Sequence, residues 1–340
     1  MPGFTVIADS SALILTYHHV ADAPTDSGVL SVSPSHFAEH LDVLQREARP
    51  VRLDEITRNL GTSGIPPRSV GITFDDGYAD NLLTAKPLLE RYDIPATVFI
   101  SAGAPDAEPE FWWDELERLL LSPGRLPQRL ELPVAGSLRS CDLGESANYT
   151  EDSFRRFRDW KVWEDPPTSR HSLYRDLCPK LKSLSHAGCR AVMSALRASA
   201  NTHSACPTHR RLTASEILSL HQRDLVEIGS HTLTHCTLPA LCSEEQRKEI
   251  QGGKSYLEEL LNAPVRGFAY PYGDCSGETL EILRETGIHY ACSIIIGSVQ
   301  SDCDRFQLPR HNVFDLDGDQ FSEWLRRMWN FKGISENGRH

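Results

Sequence analysis

Short apolar runs of strand length alternate with amphipathic stretches along most of this chain. That alternation commits it to parallel strands joined by crossover helices. Leu13-Ile14-Leu15-Thr16-Tyr17 is the first run. A helix is predicted over 33–46, where Phe37, Leu41 and Leu44 share one face and Ser33 or Ser35 supplies the cap. Strands are predicted over 50–53, 69–74 and 95–100, with a helix over 81–92 between the last two. After a long break the pattern resumes. Strands are expected over 224–229, 265–270 and 290–296, and helices over 243–261 and 277–286. Polar candidate residues collect where these strands end, the face that carries the site in barrels of parallel strands.

The break runs from about 108 to 213. It opens with a strong helix over 111–121, with Trp112, Leu116, Leu119 and Leu120 on one side. Loops punctuated by Pro and Gly follow, then polar helices such as 190–200. This reads as a mostly helical insertion over one end of the barrel, within one domain spanning 1–340. Neither an internal repeat nor a low-complexity tract is visible.

Composition excludes several functions. The formal net charge of the 340-residue chain is -12, a field that repels nucleic acid and anionic membrane surfaces. The longest apolar runs are too short to span a bilayer, so no transmembrane segment is expected. The start of the chain contains Asp9 and lacks a basic opening followed by a long apolar stretch. Nine cysteines occur without a Cys-x-x-Cys pair. Together these predict reduced thiols and a cytoplasmic location. Oligomeric state is not legible.

Two distant stretches carry the chemistry. Thr73-Phe-Asp-Asp-Gly77 closes the 69–74 strand with adjacent carboxylates, Asp75 and Asp76. A turn beginning there can bring both into one pocket, where one binds a metal and the other accepts a proton from water. Gly77 suits that turn. The second stretch is His231-Thr-Leu-Thr-His235, just past another strand end. On a helical turn its two imidazoles would share a face. Two His and one Asp leave an open position, as a catalytic zinc ion requires. Such an ion lowers the pKa of water and polarises a carbonyl.

Thr73-Phe-Asp-Asp-Gly77, Ser230-His-Thr-Leu-Thr-His235 and Phe268-Ala-Tyr-Pro-Tyr-Gly273 together resemble the ordered motifs of NodB-like polysaccharide deacetylases, carbohydrate esterase family 4. The resemblance covers about 10–105 and 215–315. It implies an α/β fold, a distorted (β/α)7 barrel, and hydrolysis of an N-acetyl group from a sugar or glycan, an activity that fits cell-surface glycan biosynthesis. By matching positions, Asp75 would be the general base and Asp76, His231 and His235 the metal ligands. Zn2+ is the expected cofactor, with Co2+ or Ni2+ able to replace it. Tyr272 would lend its backbone N–H to the oxyanion.

Two departures from the family pattern shape the rest. Ala269 stands where many members carry the Arg that orients the catalytic Asp. Arg310, in Leu308-Pro-Arg-His311, is the replacement expected here, with Arg266 in reserve. Members of one branch open with a Tyr-His motif, and Tyr17-His18-His19-Val20 resembles it. His18 is therefore the expected acid for the leaving amine, ahead of His311, with His19 facing away.

Weaker signals remain. His203-x-x-Cys206-x-x-His209 has metal-ligand types but no strand-end context, and is read as loop. In Phe111-Trp112-Trp113-Asp114, Trp112 looks like packing, while Trp113 or Asp114 could face the mouth of the site. Gly252-Gly253, inside a helical stretch, suggests a kink or close packing. Rival functions are hydrolysis of a non-sugar C–N amide and a catalytically inactive carbohydrate-binding homologue.

Overall fold

A computed structural model describes residues 11–62, 64–103, 110–200 and 209–331. Seven strands form one parallel sheet: β1 (Ala12–Tyr17), β2 (Ser69–Phe74), β3 (Ala96–Ile100), β4 (Val226–Ser230), β5 (Gly267–Ala269), β6 (Tyr290–Cys292) and β7 (His311–Asn312). Their spatial order is β6-β5-β4-β3-β2-β1-β7, and Arg49–Pro50 pairs alongside β2. The chain leading into β7 bonds back to β6, with Leu308 bridging Cys292 while His311 pairs with Leu15 of β1. The two ends of the sheet therefore meet, as the (β/α)7 expectation requires.

Residues of β1 and β2 are buried along their whole length, as strands covered on both faces must be. Leu13, Leu15 and Tyr17 of β1 pack with Val70, Ile72 and Phe74 and with the helix residues Phe37, Leu41 and Leu44. The alternate residues Ala12 and Ile14 join Phe99, Ala269, Tyr290 and Cys292 in a second cluster inside the barrel. Period-two alternation thus divides each strand between helical coat and interior.

Among the described residues that coat includes α1 (Pro34–Glu47) and α2 (Lys86–Tyr92) before the insertion, and after it the helix Ala214–His221, whose Ile217 and Leu220 join the same cluster, followed by three more. Ser33 caps α1, its side chain accepting the N–H of His36, as Ser does at helix starts. The predicted helix over 81–92 begins as a π-turn, Asn81–Ala85, before α2. The predicted strand over 50–53 is corrected. It stops at Pro50, and Leu53 opens a short helix, Leu53–Arg58, with Asp54 and Glu55 in its first turn. That helix sits directly on β2, because Gly71 leaves room there: a Cβ on it would lie 2.5 Å from Leu53 Cδ2. The predicted strand over 290–296 also shortens, ending at Cys292, beyond which Ile294, Ile295 and Ile296 are about half exposed.

The insertion has its own apolar core. It contains α3 (Trp112–Leu121), α4 (Ser169–Ser183) and α5 (His186–Ser199), together with an antiparallel hairpin, Arg129–Val134 with Ser137–Asp142. Leu116, Leu120, Leu132, Leu177, Val192 and Leu196 meet at its centre. Arg170 is buried there and donates to the carbonyls of Leu120, Gly124, Ser146 and Ala147, which pairs a charge that would otherwise be costly to bury. The hairpin went unforeseen because Pro133, Ala135 and Gly136 read as loop. Past the insertion come α6 (Ser243–Leu261), α7 (Gly277–Glu285) and, at the end, α8 (Gly318–Trp329). Among the described residues no helix is long and apolar enough to cross a membrane.

Candidate active site

The carboxyl ends of the strands and the insertion enclose a cavity of about 640 Å³, within the range of small-molecule sites. His18, Asp75, Asp76, His231, His235 and Tyr272 all line it. Each sits just past a strand.

At the end of β2 the backbone turns sharply. Asp76 has φ +73° and Gly77 +84°. The left-handed turn directs two sequence neighbours into one cavity, which continued pleating would not do. The backbone is held there by the Asp75 N–H, which donates to the Tyr17 carbonyl, and by the Ser101 N–H, which donates to that of Asp76.

Arg310 grips Asp75. Its Nη1 and Nη2 each donate to one carboxylate oxygen at 2.8 Å. Nε of Arg310 is anchored on the Ser293 carbonyl at 2.9 Å. Both residues are buried, at 2% and 5% exposure. Burial alone would raise the Asp75 carboxyl, but the guanidinium outweighs it and holds the group below the usual carboxylate range. Arg310 thus stands where the missing third-motif Arg was sought. Arg266 lies elsewhere, in a separate cavity at the amino-terminal end of the strands with Asp54, His289 and Arg305.

Asp76, His231 and His235 form the one group among the described residues whose donor atoms could hold a metal, all within 4.8 Å of one another. Asp76 Oδ1 is 3.4 Å from His231 Nε2 and 3.1 Å from His235 Nε2. A tetrahedral site with bonds of about 2.0–2.1 Å has ligand–ligand edges of about 3.3 Å, so the three residues fit such an ion. Nδ1–H of His231 donates to the Ala269 carbonyl at 2.7 Å. That fixes the tautomer and presents Nε2 to the site, the usual outer support of a ligating imidazole. Burial opposes ionisation of Asp76, yet His235 and His231 hold it well below its ordinary value.

The helical turn expected for 231–235 is not formed. This segment is a loop in which Thr232 and His235 have φ +65° and +55°. Its shape is imposed from outside. Glu249 of α6 accepts the N–H groups of Leu233 and Thr234 and the Thr234 hydroxyl. Gly252 and Gly253 let α6 press against it: a Cβ on Gly253 would lie 2.8 Å from the Thr232 carbonyl carbon. The double glycine therefore serves close packing under the imidazoles.

His18 follows β1 and lines the cavity with both carboxylates. Burial pushes its imidazole below the ordinary value, opposed by the nearby Asp76 and Asp75. His311 does not line the cavity. Its ring instead lies 6.1 Å from that of Trp324 and 6.3 Å from that of Phe331. Tyr272 has φ +57°, and its ring centroid is 4.6 Å from that of His235.

His19 corrects the expectation that it faces away. It is buried in the cavity wall, Nδ1 donating to Asp80 Oδ2 at 2.7 Å. Asp80, five residues after Asp75, was the available sequence signal. Of the His203–Cys206–His209 group, the first two lie outside the described residues. His209 lines the cavity with its ring 4.6 Å from that of His19. Trp113 also faces the site, its ring 4.6 Å from that of His235.

Comparison with known proteins defines the class. The family model described as Polysaccharide deacetylase matches residues 63–123 and 171–291. The chain belongs to the polysaccharide deacetylase family, as its NodB-like motifs implied. A curated relative, the poly-beta-1,6-N-acetyl-D-glucosamine N-deacetylase of Staphylococcus aureus (strain MSSA476), is 33% identical over 108 residues, which is 28% of this chain and 37% of that protein. The chain spans less than half the length of the curated relatives it matches. Among solved structures it is similar to the Streptococcus pyogenes deacetylase PplD in complex with acetate. The TM-score is 0.57 at 17% identity, covering 94% of this chain and 98% of that one. IcaB from Ammonifex degensii gives 0.54 at 18%, covering 93% and 97%. At these identities the likeness concerns the fold.

Proposed function

We propose that this protein is a metal-dependent hydrolase that removes the N-acetyl group from an N-acetylated sugar within a glycan. One observation carries the reading. A carboxylate clamped by a buried guanidinium, Asp75 with Arg310, shares a cavity with a separate Asp-His-His trio. On this reading metal ligand and proton acceptor are different side chains, as hydrolysis by an activated water needs. The family match and the staphylococcal relative's named substrate support a glycan, and cell-surface glycan biosynthesis is the role proposed for it.

Asp76, His231 and His235 would hold the ion. Zn2+ suits two imidazoles and a carboxylate best, and Co2+ or Ni2+ could use the same donors. Bound there, it supplies Lewis acidity that makes water easier to deprotonate and the acetyl carbonyl more electrophilic. Asp75 accepts the proton of the attacking water, kept ionised and oriented by Arg310. The N–H of Tyr272 donates to the oxygen that gains charge. His18 gives a proton to the sugar nitrogen as the C–N bond breaks, so acetate and a free amine leave. The nine cysteines without a Cys-x-x-Cys pair are the basis for a reducing, cytoplasmic setting as part of this reading.

The test is acetate release from N-acetylglucosamine oligomers by protein stripped with chelator and then resupplied with zinc. Release that returns only with metal is expected. Chelator-insensitive release, or none from any N-acetylhexosamine, would overturn the proposal.

A further inference from the structure

A chain of buried and partly buried polar side chains beside the candidate metal trio plays no part in the chemistry above. Asp80 accepts the Val20 N–H and the Asn81 amide through Oδ1, and His19 through Oδ2. His19 lies against Tyr78, with ring centroids 3.5 Å apart. Tyr78 accepts from Trp113 Nε1 at 2.8 Å and donates to Asp114 Oδ2 at 2.9 Å. The chain thus ties the end of β1 and the turn after β2 to the first turn of α3, in the insertion.

Asp114 is where this chain stops short. Its Oδ1 makes no hydrogen bond among the described residues. His19 Nε2 stands 3.7 Å from it, close enough for an ion pair when the imidazole is protonated but too far for a hydrogen bond. Nε2 of His19 is itself buried and without a partner among the described residues. Both residues line the cavity, and Asp114 is 15% exposed to it. A partly buried carboxylate oxygen facing a cavity with no hydrogen bond is a position from which a ligand donor gains. Beside it, the Trp113 ring reaches to 4.6 Å from the His235 ring. The Trp113 ring is stacked on Phe111 on one side, with centroids 4.5 Å apart; an aromatic side chain lining the cavity next to an acceptor without a hydrogen bond matches a pyranose, which offers C–H faces and hydroxyl donors together.

We infer that Asp114 is a specificity-determining residue. Its Oδ1 accepts a ring hydroxyl of the sugar whose acetamide lies at Asp76, His231 and His235, with Trp113 alongside. His19 and Tyr78 position that carboxylate. The inference rests on the sugar reading.

The experiment measures binding and turnover separately. Binding uses the zinc-loaded Asp75→Asn variant and calorimetry with N-acetylglucosamine oligomers, then with 3-, 4- and 6-deoxy analogues. One analogue is expected to bind about tenfold to hundredfold more weakly, the range for a lost hydrogen bond to a charged group. Adding Asp114→Asn should weaken the parent sugar similarly and leave that analogue nearly unchanged. A merely structural Asp114 would weaken all sugars alike. Equal binding of every analogue overturns the inference, and this arm needs no change at Asp114. Acetate release by the wild-type protein is read in parallel. Release without any deoxy preference sinks the Asp114 assignment alone, and deoxy preference without release sinks the deacetylase reading alone. Failure of every N-acetylhexosamine to bind overturns both.

Discussion

Replacing Arg310 with Met removes all five guanidinium donors at roughly constant volume. Two bonds of 2.8 Å to Asp75 are lost, along with that to the Ser293 carbonyl. Because both partners are almost wholly buried, solvent does not screen the pair. Breaking one side of a buried ion pair costs about 3–5 kcal/mol. The pH dependence identifies the cause. In the wild-type protein Asp75 is held below its unfolded value of about 3.9. It therefore contributes stability above that pH, which is lost as pH falls through the lower folded value. In Arg310→Met, burial remains without the guanidinium, so the carboxyl moves upward. The variant then recovers stability as pH falls and the carboxyl takes up a proton. Urea denaturation of chelator-treated protein at pH 7 and pH 5 should show a deficit that narrows in acid. Acetate release at pH 7 should fall about 10²-fold or more, within the range for loss of a general base. A deficit equal at both pH values, or turnover within threefold of wild type, would refute the argument.

Asp75→Asn keeps the three candidate ligands and should retain zinc by elemental analysis while losing about 10²–10⁴ in turnover; full activity would remove the base assignment. His18→Ala should depress acetate release far more than His311→Ala, which should chiefly lower stability because His311 packs near Trp324; equal effects on rate would return the acid to the C-terminal histidine. Gly253→Ala places a Cβ 2.8 Å from the Thr232 carbonyl carbon and should cost about 1–3 kcal/mol with weakened zinc binding. Gly277→Ala, which meets nothing within 4 Å, should be near neutral in the same measurements. His40 is buried, and burial lowers its pKa to about 4. Folding thus favours neutral His40, and stability should fall on acidification from about pH 6.5 toward 4, by on the order of 3 kcal/mol. A His40→Gln variant, though less stable at neutral pH, should show a flatter acid limb, and an unchanged limb would contradict this.

The parallel strands and the clustering of Asp76, His231 and His235 were legible because their signals are local. Strand-length apolar runs mark β1 to β4, and Asp75-Asp76 and His231/His235 are each compact stretches that the barrel brings together. What escaped was set by tertiary contact. The four-residue spacing of His231 and His235 suggested a helical turn, but Glu249 and the glycines of α6 impose a left-handed loop. His19 was expected outside because period-two reasoning ends where β1 ends. The turn that buries it against Asp80 depends on a residue 61 positions away. Arg310 could be named as a candidate because Ala269 left a charge missing, but only the fold brings it to Asp75.

Diffraction from crystals grown with zinc, recorded above and below the zinc absorption edge, tests the central claim most directly. The account predicts one strong anomalous peak within bonding distance of Asp76, His231 and His235, with Asp75 beside the ion and not bound to it. No peak there, or an ion bound by Asp75 in place of Asp76, would contradict it.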